Sequence, residues 1–93
     1  LLFAIPNAGA GASRGQAGKM KAEGTRAGVP DLCLAVACRP YNGLFIEMKR
    51  TKGGKLSYEQ SYMFQLLKER VYRVIVCEGM EAAKAVIMDY IDI

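Results

Sequence analysis

Apolar residues along the 93-residue chain fall into short runs divided by Gly, Pro, Asn and Ser, and the spacing inside each run predicts its element. Leu2-Phe-Ala-Ile5 reads as a short strand that Pro6 ends. Asn7 to Gly15 is rich in Gly, Ala and Ser and reads as a loop; Ser13 with Gln16 makes a capping-box pattern for a short basic helix over about 14–23, with Gly24 as its stop. Asp31 to Ala37, DLCLAVA, is strand-like, Asn42-Gly43 supplies a tight-turn signal, and LFIEM follows, so these residues predict a β-hairpin. Thr51 to Lys55 breaks the regularity as a basic loop. Ser57 opens a helix in which Tyr62, Met63, Leu66 and Leu67 recur at helical spacing and are expected to cover one face of a sheet. Tyr72 to Cys77 is short and rich in β-branched residues, as in a buried strand. A last helix over about 80–91 carries the apolar pairs Ala82/Ala83, Val86/Ile87 and Tyr90/Ile91. The order strand, helix, strand, strand, helix, strand, helix predicts an α/β fold with a small β-sheet flanked by helices.

A chain of this length with 52% hydrophobic residues suits one domain over residues 1–93 and leaves no room for a second core. Small domains often gain stability from partners, so a homodimer is expected. The three cysteines, Cys33, Cys38 and Cys77, are odd in number and form no C-x-x-C pair, which fits buried structural thiols in a reducing, cytoplasmic setting. The absence of histidine argues against a zinc site and removes Ser-His-Asp and Cys-His catalysis, because no imidazole is present to act as base. The GAGAS stretch lacks the lysine and spacing of a phosphate-binding loop, so nucleotide binding is rejected. No signal-peptide pattern occurs, and no apolar run approaches the roughly 20 residues that span a bilayer, so no membrane association is expected. The sequence begins at Leu1, inside an apolar segment, and an upstream piece is expected.

Charge changes this picture. The net charge is +4, but residues 1–55 carry nine Lys/Arg against Glu23, Asp31 and Glu47, while residues 56–93 carry four against six acids. A basic half fits a polyanionic partner whose phosphates Lys and Arg neutralise.

Two features depart from the apolar pattern: Pro30-Asp31 at the start of one predicted strand, and Glu47-x-Lys49 inside the next. Strand alternation puts Glu47 and Lys49 on one side, Ile46 and Met48 on the other, and a hairpin brings Asp31 beside them. Two carboxylates and an ammonium placed in an apolar sheet carry a desolvation cost unless they pair or hold a metal. Two carboxylates, the main-chain carbonyl of Met48 and waters would suit Mg²⁺, with Mn²⁺ able to substitute. Such a cation lowers the pKa of coordinated water and stabilises charge on phosphoryl oxygens, which compensates for the missing histidine. Lys49 could orient or deprotonate the attacking water, or stabilise the developing charge.

GVPDLCL, then LFIEMKR, then LSYEQ resembles the VRR-NUC (virus-type replication-repair nuclease) branch of the PD-(D/E)xK superfamily, and the resemblance runs from Pro6 to Ile91. It implies a restriction-endonuclease-like core and divalent-metal hydrolysis of DNA phosphodiesters, with Asp31 and Glu47 as metal ligands and Lys49 as catalytic lysine. Gln60 matches the helical glutamine that supports the lysine or the water, although Ser57-x-x-Gln60 is also a complete capping box and its role could be structural alone. Stand-alone relatives resemble Holliday-junction resolvases in being homodimers, which makes branched DNA the leading substrate. A nonspecific nickase and a non-catalytic DNA-binding or assembly module on the same fold are the alternatives. Lys52 and Lys55, beside the site, are the first candidates for phosphate contact, followed by Arg26, Arg14, Lys19 and Asn7; Tyr58 and Tyr62 read as packing or helix-surface residues. The sequence departs from the family pattern twice. The acidic residue that many superfamily members supply from a helix before the first strand would lie upstream of Leu1. Val71 stands where relatives place a glycine after the helix, and a β-branched residue resists a left-handed cap, so that helix is expected to end differently.

Overall fold

The computed structural model describes residues 1–6, 26–50 and 55–92. The basic helix expected over about 14–23 therefore lies outside the described residues, as do Asn7, Arg14, Lys19 and Lys52. The described elements are β1 (Leu2–Ala4), β2 (Leu32–Leu34), β3 (Leu44–Lys49), α1 (Tyr58–Glu69), β4 (Arg73–Glu78) and α2 (Met80–Ile91). The strands form one sheet in the order β1-β2-β3-β4. β1 with β2 and β2 with β3 are antiparallel, whereas β3 and β4 run parallel and are joined across α1. This mixed sheet flanked by helices is the α/β architecture expected.

Alternation along β3 divides the two faces. Leu44 and Ile46, at 0% and 1% exposure, join Leu34 and Cys77 in a core that α2 seals with Ala83 and Tyr90. The opposite face carries Phe45, Glu47 and Lys49, and α1 reaches it through Gln60. Phe45 packs edge-on against Tyr72 with ring centroids 5.3 Å apart. Cys33 and Cys77 are buried free thiols whose pKa burial raises, as inert core residues require. Among the described residues no helix is long and apolar enough to cross a membrane.

Four expectations need correction. The strand predicted over 31–37 is cut to Leu32–Leu34. The tight turn is not at Asn42-Gly43 but at Arg39-Pro40, closed by reciprocal bonds between Cys38 and Tyr41 of 3.1 and 2.8 Å. Asn42 is used at long range instead: its amide Nδ2 donates to Arg70 O at 2.7 Å and its main-chain N–H to Val71 O at 2.8 Å, satisfying carbonyls at the end of α1. In α1 the buried residues are Met63 and Phe64, while Tyr62 is 51% exposed, so the sheet-facing stripe is rotated from the one predicted.

The end of α1 supplies the fourth. Val71 adopts φ +63°, with Val71 N donating to Lys68 O and Tyr72 N to Leu67 O at 3.0 and 3.1 Å. That is the Schellman pattern, formed with valine in the left-handed position that glycine usually takes. The tertiary bond from Asn42 onto Val71 O helps to hold it there.

Candidate active site

The β2–β3 register pairs Leu32 with Ile46, so Asp31, one residue earlier, comes level with Glu47. The Met48 main-chain N–H donates to Asp31 Oδ2 at 2.8 Å and fixes that carboxylate at the end of β2. The Asp31 main-chain oxygen in turn accepts from Ile5 N at 2.8 Å, which ties β1 to the same corner. Behind Asp31, Pro30 is fully buried, and Gly28 lies so close to the Glu59 main chain that a Cβ would collide with it. Gly28 also has φ +87°, so the backbone that delivers Asp31 requires glycine on two counts. That requirement was missed in the sequence; its one visible trace is the glycine two residues before Pro30-Asp31.

Glu47 is 3% exposed, the one buried charged side chain among the described residues. Its Oε1 is buried without a hydrogen-bond partner, and its Oε2 lies 4.0 Å from Lys49 Nζ. Its pKa is raised from 4.5 to about 7, most of all by burial and then by a hydrogen bond to Asp31 and the Asp31 charge, against the opposing charge of Lys49. A carboxyl can bond another carboxylate only through a shared proton, so Asp31 and Glu47 are poised to hold one cation between them, a proton or a metal. Among the described residues no cluster of three or more His, Cys, Asp or Glu side chains occurs, so any metal here would rest on two carboxylates plus main chain and water.

Lys49 is held from both sides. Its Nζ approaches Glu47, and it donates to Gln60 Oε1 at 3.3 Å, with 19% of its side chain exposed. Gln60 Oε1 also accepts from Ser57 N at 2.9 Å, while Gln60 N donates to Ser57 Oγ at 3.1 Å. The capping box and the contact with Lys49 therefore coexist in a single oxygen. Of the predicted phosphate-contacting residues that are described, Lys55 and Arg26 are both exposed. Both sit near the start of α1, Lys55 two residues before the Ser57 cap and Arg26 two residues before Gly28, which abuts Glu59.

Residues 6–81 match the family model of the VRR-NUC domain. Among solved structures the chain is similar to a VRR_NUC domain protein, at a TM-score of 0.79 and 28% identity, over 98% of this chain and 67% of that one. No curated protein matches.

Proposed function

The chain belongs to the VRR-NUC domain family, and on that premise we propose that it is a metal-dependent DNA endonuclease centred on Asp31, Glu47 and Lys49. The observation that carries the reading is Glu47 Oε1, a buried carboxylate oxygen with no partner, next to a second carboxylate. An unpaired buried charge is costly, and a hard divalent cation such as Mg²⁺ or Mn²⁺, which prefers oxygen ligands, removes the cost. Asp31 and Glu47 would hold it, with the Met48 carbonyl. That carbonyl fits because the N–H of the same strand residue already points at Asp31, and the two groups of one residue face the same neighbour.

When bound, the cation supplies Lewis-acid activation of water and of phosphoryl oxygens. The remaining work falls to the chain's own groups. The Met48 amide keeps Asp31 from rotating away, and Gln60 keeps the Lys49 ammonium pointed at the carboxylates. Lys49 then orients the attacking water and stabilises the negative charge that builds on the phosphoryl group. Lys55 and Arg26 contact backbone phosphates, and Lys52, Arg14, Lys19 and Asn7, outside the described residues, are the further phosphate contacts proposed from the sequence. A homodimer places two such sites about a two-fold axis, which suits paired incisions in branched DNA. The exposed apolar side chains of Leu2 and Phe3 on the edge strand β1 support a surface for that pairing.

Incubating labelled four-way junction, flap and linear duplex with Mg²⁺ tests the reading. Wild-type protein is expected to cut, the junction most readily, and Lys49→Ala and Asp31→Asn are expected to lose about 100-fold or more. Equal product from all three proteins overturns the assignment; retention of DNA without cutting assigns a binding module instead.

A further inference from the structure

The outer side of α1 carries a feature that the cutting chemistry does not use. Tyr58 is 81% exposed and Tyr62 51%, while the helix buries Met63 and Phe64 on its other side. Their rings lie within 3° of parallel, with centroids 6.5 Å apart. One helical turn separates them, as i and i+4 spacing dictates. Two large rings are thus presented to water in a single orientation.

Their surroundings narrow what could cover them. The same side of the helix continues into Gln65 and Glu69, which are exposed and hydrogen-bonded to each other at 3.4 Å, so the apolar patch stops after the two rings. Tyrosine also occurs in protein interfaces, but two rings bounded by the Gln65–Glu69 pair offer far less area than the roughly 800 Å² per partner that a protein interface buries. A single flat aromatic group needs no more than this. The patch also begins on the turn that holds Ser57 and Gln60, whose Oε1 contacts Lys49 Nζ, and the exposed Lys55 precedes it. Helix N–H groups and a lysine at that end favour a phosphate beside the flat group. Glu59, the acid of that turn, lies about 100° around the helix from Tyr58.

We propose that Tyr58 and Tyr62 form a stacking platform for one unpaired nucleobase, which selects DNA carrying an unpaired nucleotide next to the duplex that is cut. The inference rests on the nuclease reading for its DNA partner. Every base presents a π-face, so the platform discriminates paired from unpaired nucleotides and not one sequence from another.

Fluorescence anisotropy in EDTA, where nothing is cut, separates this from catalysis. The probes are a fluorescein-labelled duplex with a short thymine overhang and the same duplex with blunt ends. Tyr58→Leu and Tyr62→Leu are each expected to weaken overhang binding about tenfold and leave blunt-duplex binding unchanged. Tyr58→Phe and Tyr62→Phe keep the ring and are expected to bind both probes as wild type does. Leucine variants that bind the overhang normally, that lose both probes alike, or phenylalanine variants that fail with them overturn the platform. So does a wild-type protein that binds neither probe. Cutting of the same DNAs by wild type in Mg²⁺ reports separately on the nuclease reading, so the two failures are distinguishable.

Discussion

Replacing Glu47 by Gln is expected to make the metal-free protein more stable at pH 8. In the folded protein the Glu47 carboxyl titrates near 7, against 4.5 for a free glutamate. Below about 4.5 both folded and unfolded chains hold the proton, and its contribution to stability is fully present. As pH rises, the unfolded chain releases the proton first, and stability falls until the folded carboxyl ionises near 7. At about 1.4 kcal/mol per pH unit, the loss above that point is about 3 kcal/mol. Gln keeps the size of Glu and offers Asp31 an N–H, replacing the shared proton without titrating. Glu47→Gln should therefore gain about 3 kcal/mol over wild type at pH 8 in EDTA, on the order of 10 °C or more in melting temperature for a domain this small. Thermal melts followed by circular dichroism at pH 4.5 and pH 8 measure it, and the gap should nearly close at the lower pH. A variant no more stable than wild type at pH 8, or a gap that does not depend on pH, refutes the account of Glu47.

Cleavage in Mg²⁺ should show an acid limb near pH 7, because the proton on Glu47 competes with the metal; a pH–rate profile flat from pH 5.5 to 8 contradicts this. Gln60→Ala and Ser57→Ala both break the capping box and should each cost about 1 kcal/mol of stability. Only Gln60→Ala also releases Lys49, so its kcat should fall well below that of Ser57→Ala, and equal rates for the two would remove Gln60 from the site. Val71→Gly should stabilise the protein by about 1 kcal/mol, since valine at φ +63° carries a left-handed penalty that glycine does not; an unchanged or lower denaturation midpoint contradicts it.

The convergence of Asp31, Glu47 and Lys49 was legible because three ionisable residues interrupt apolar strand patterns, and strand alternation is a local rule that places Glu47 and Lys49 together without knowledge of the rest. The Ser57-Gln60 cap was legible for the same reason, though its second use, by Lys49, is a contact across eleven residues that no local spacing reveals. Misreadings arose where distant groups outbid local preference. Asn42-Gly43 carries a hairpin signal, yet Asn42 is drawn to Arg70 and Val71, and Gly43 is packed against Tyr72, so the turn moves to Arg39-Pro40. Val71 takes a conformation its side chain disfavours because the Schellman bonds and the Asn42 bond converge on it. Tyr62 fits an apolar period, but the helix buries Met63 and Phe64 and leaves Tyr62 exposed.

In the proposed nuclease, Asp31 and Glu47 together grip one divalent cation. Crystals grown at pH 8 and soaked in Mn²⁺ test this directly by anomalous scattering. The prediction is a single strong peak at roughly 2.1 Å from a carboxylate oxygen of each residue, close to the Met48 carbonyl. A peak elsewhere, or two carboxylates without an ion between them at millimolar Mn²⁺, contradicts it.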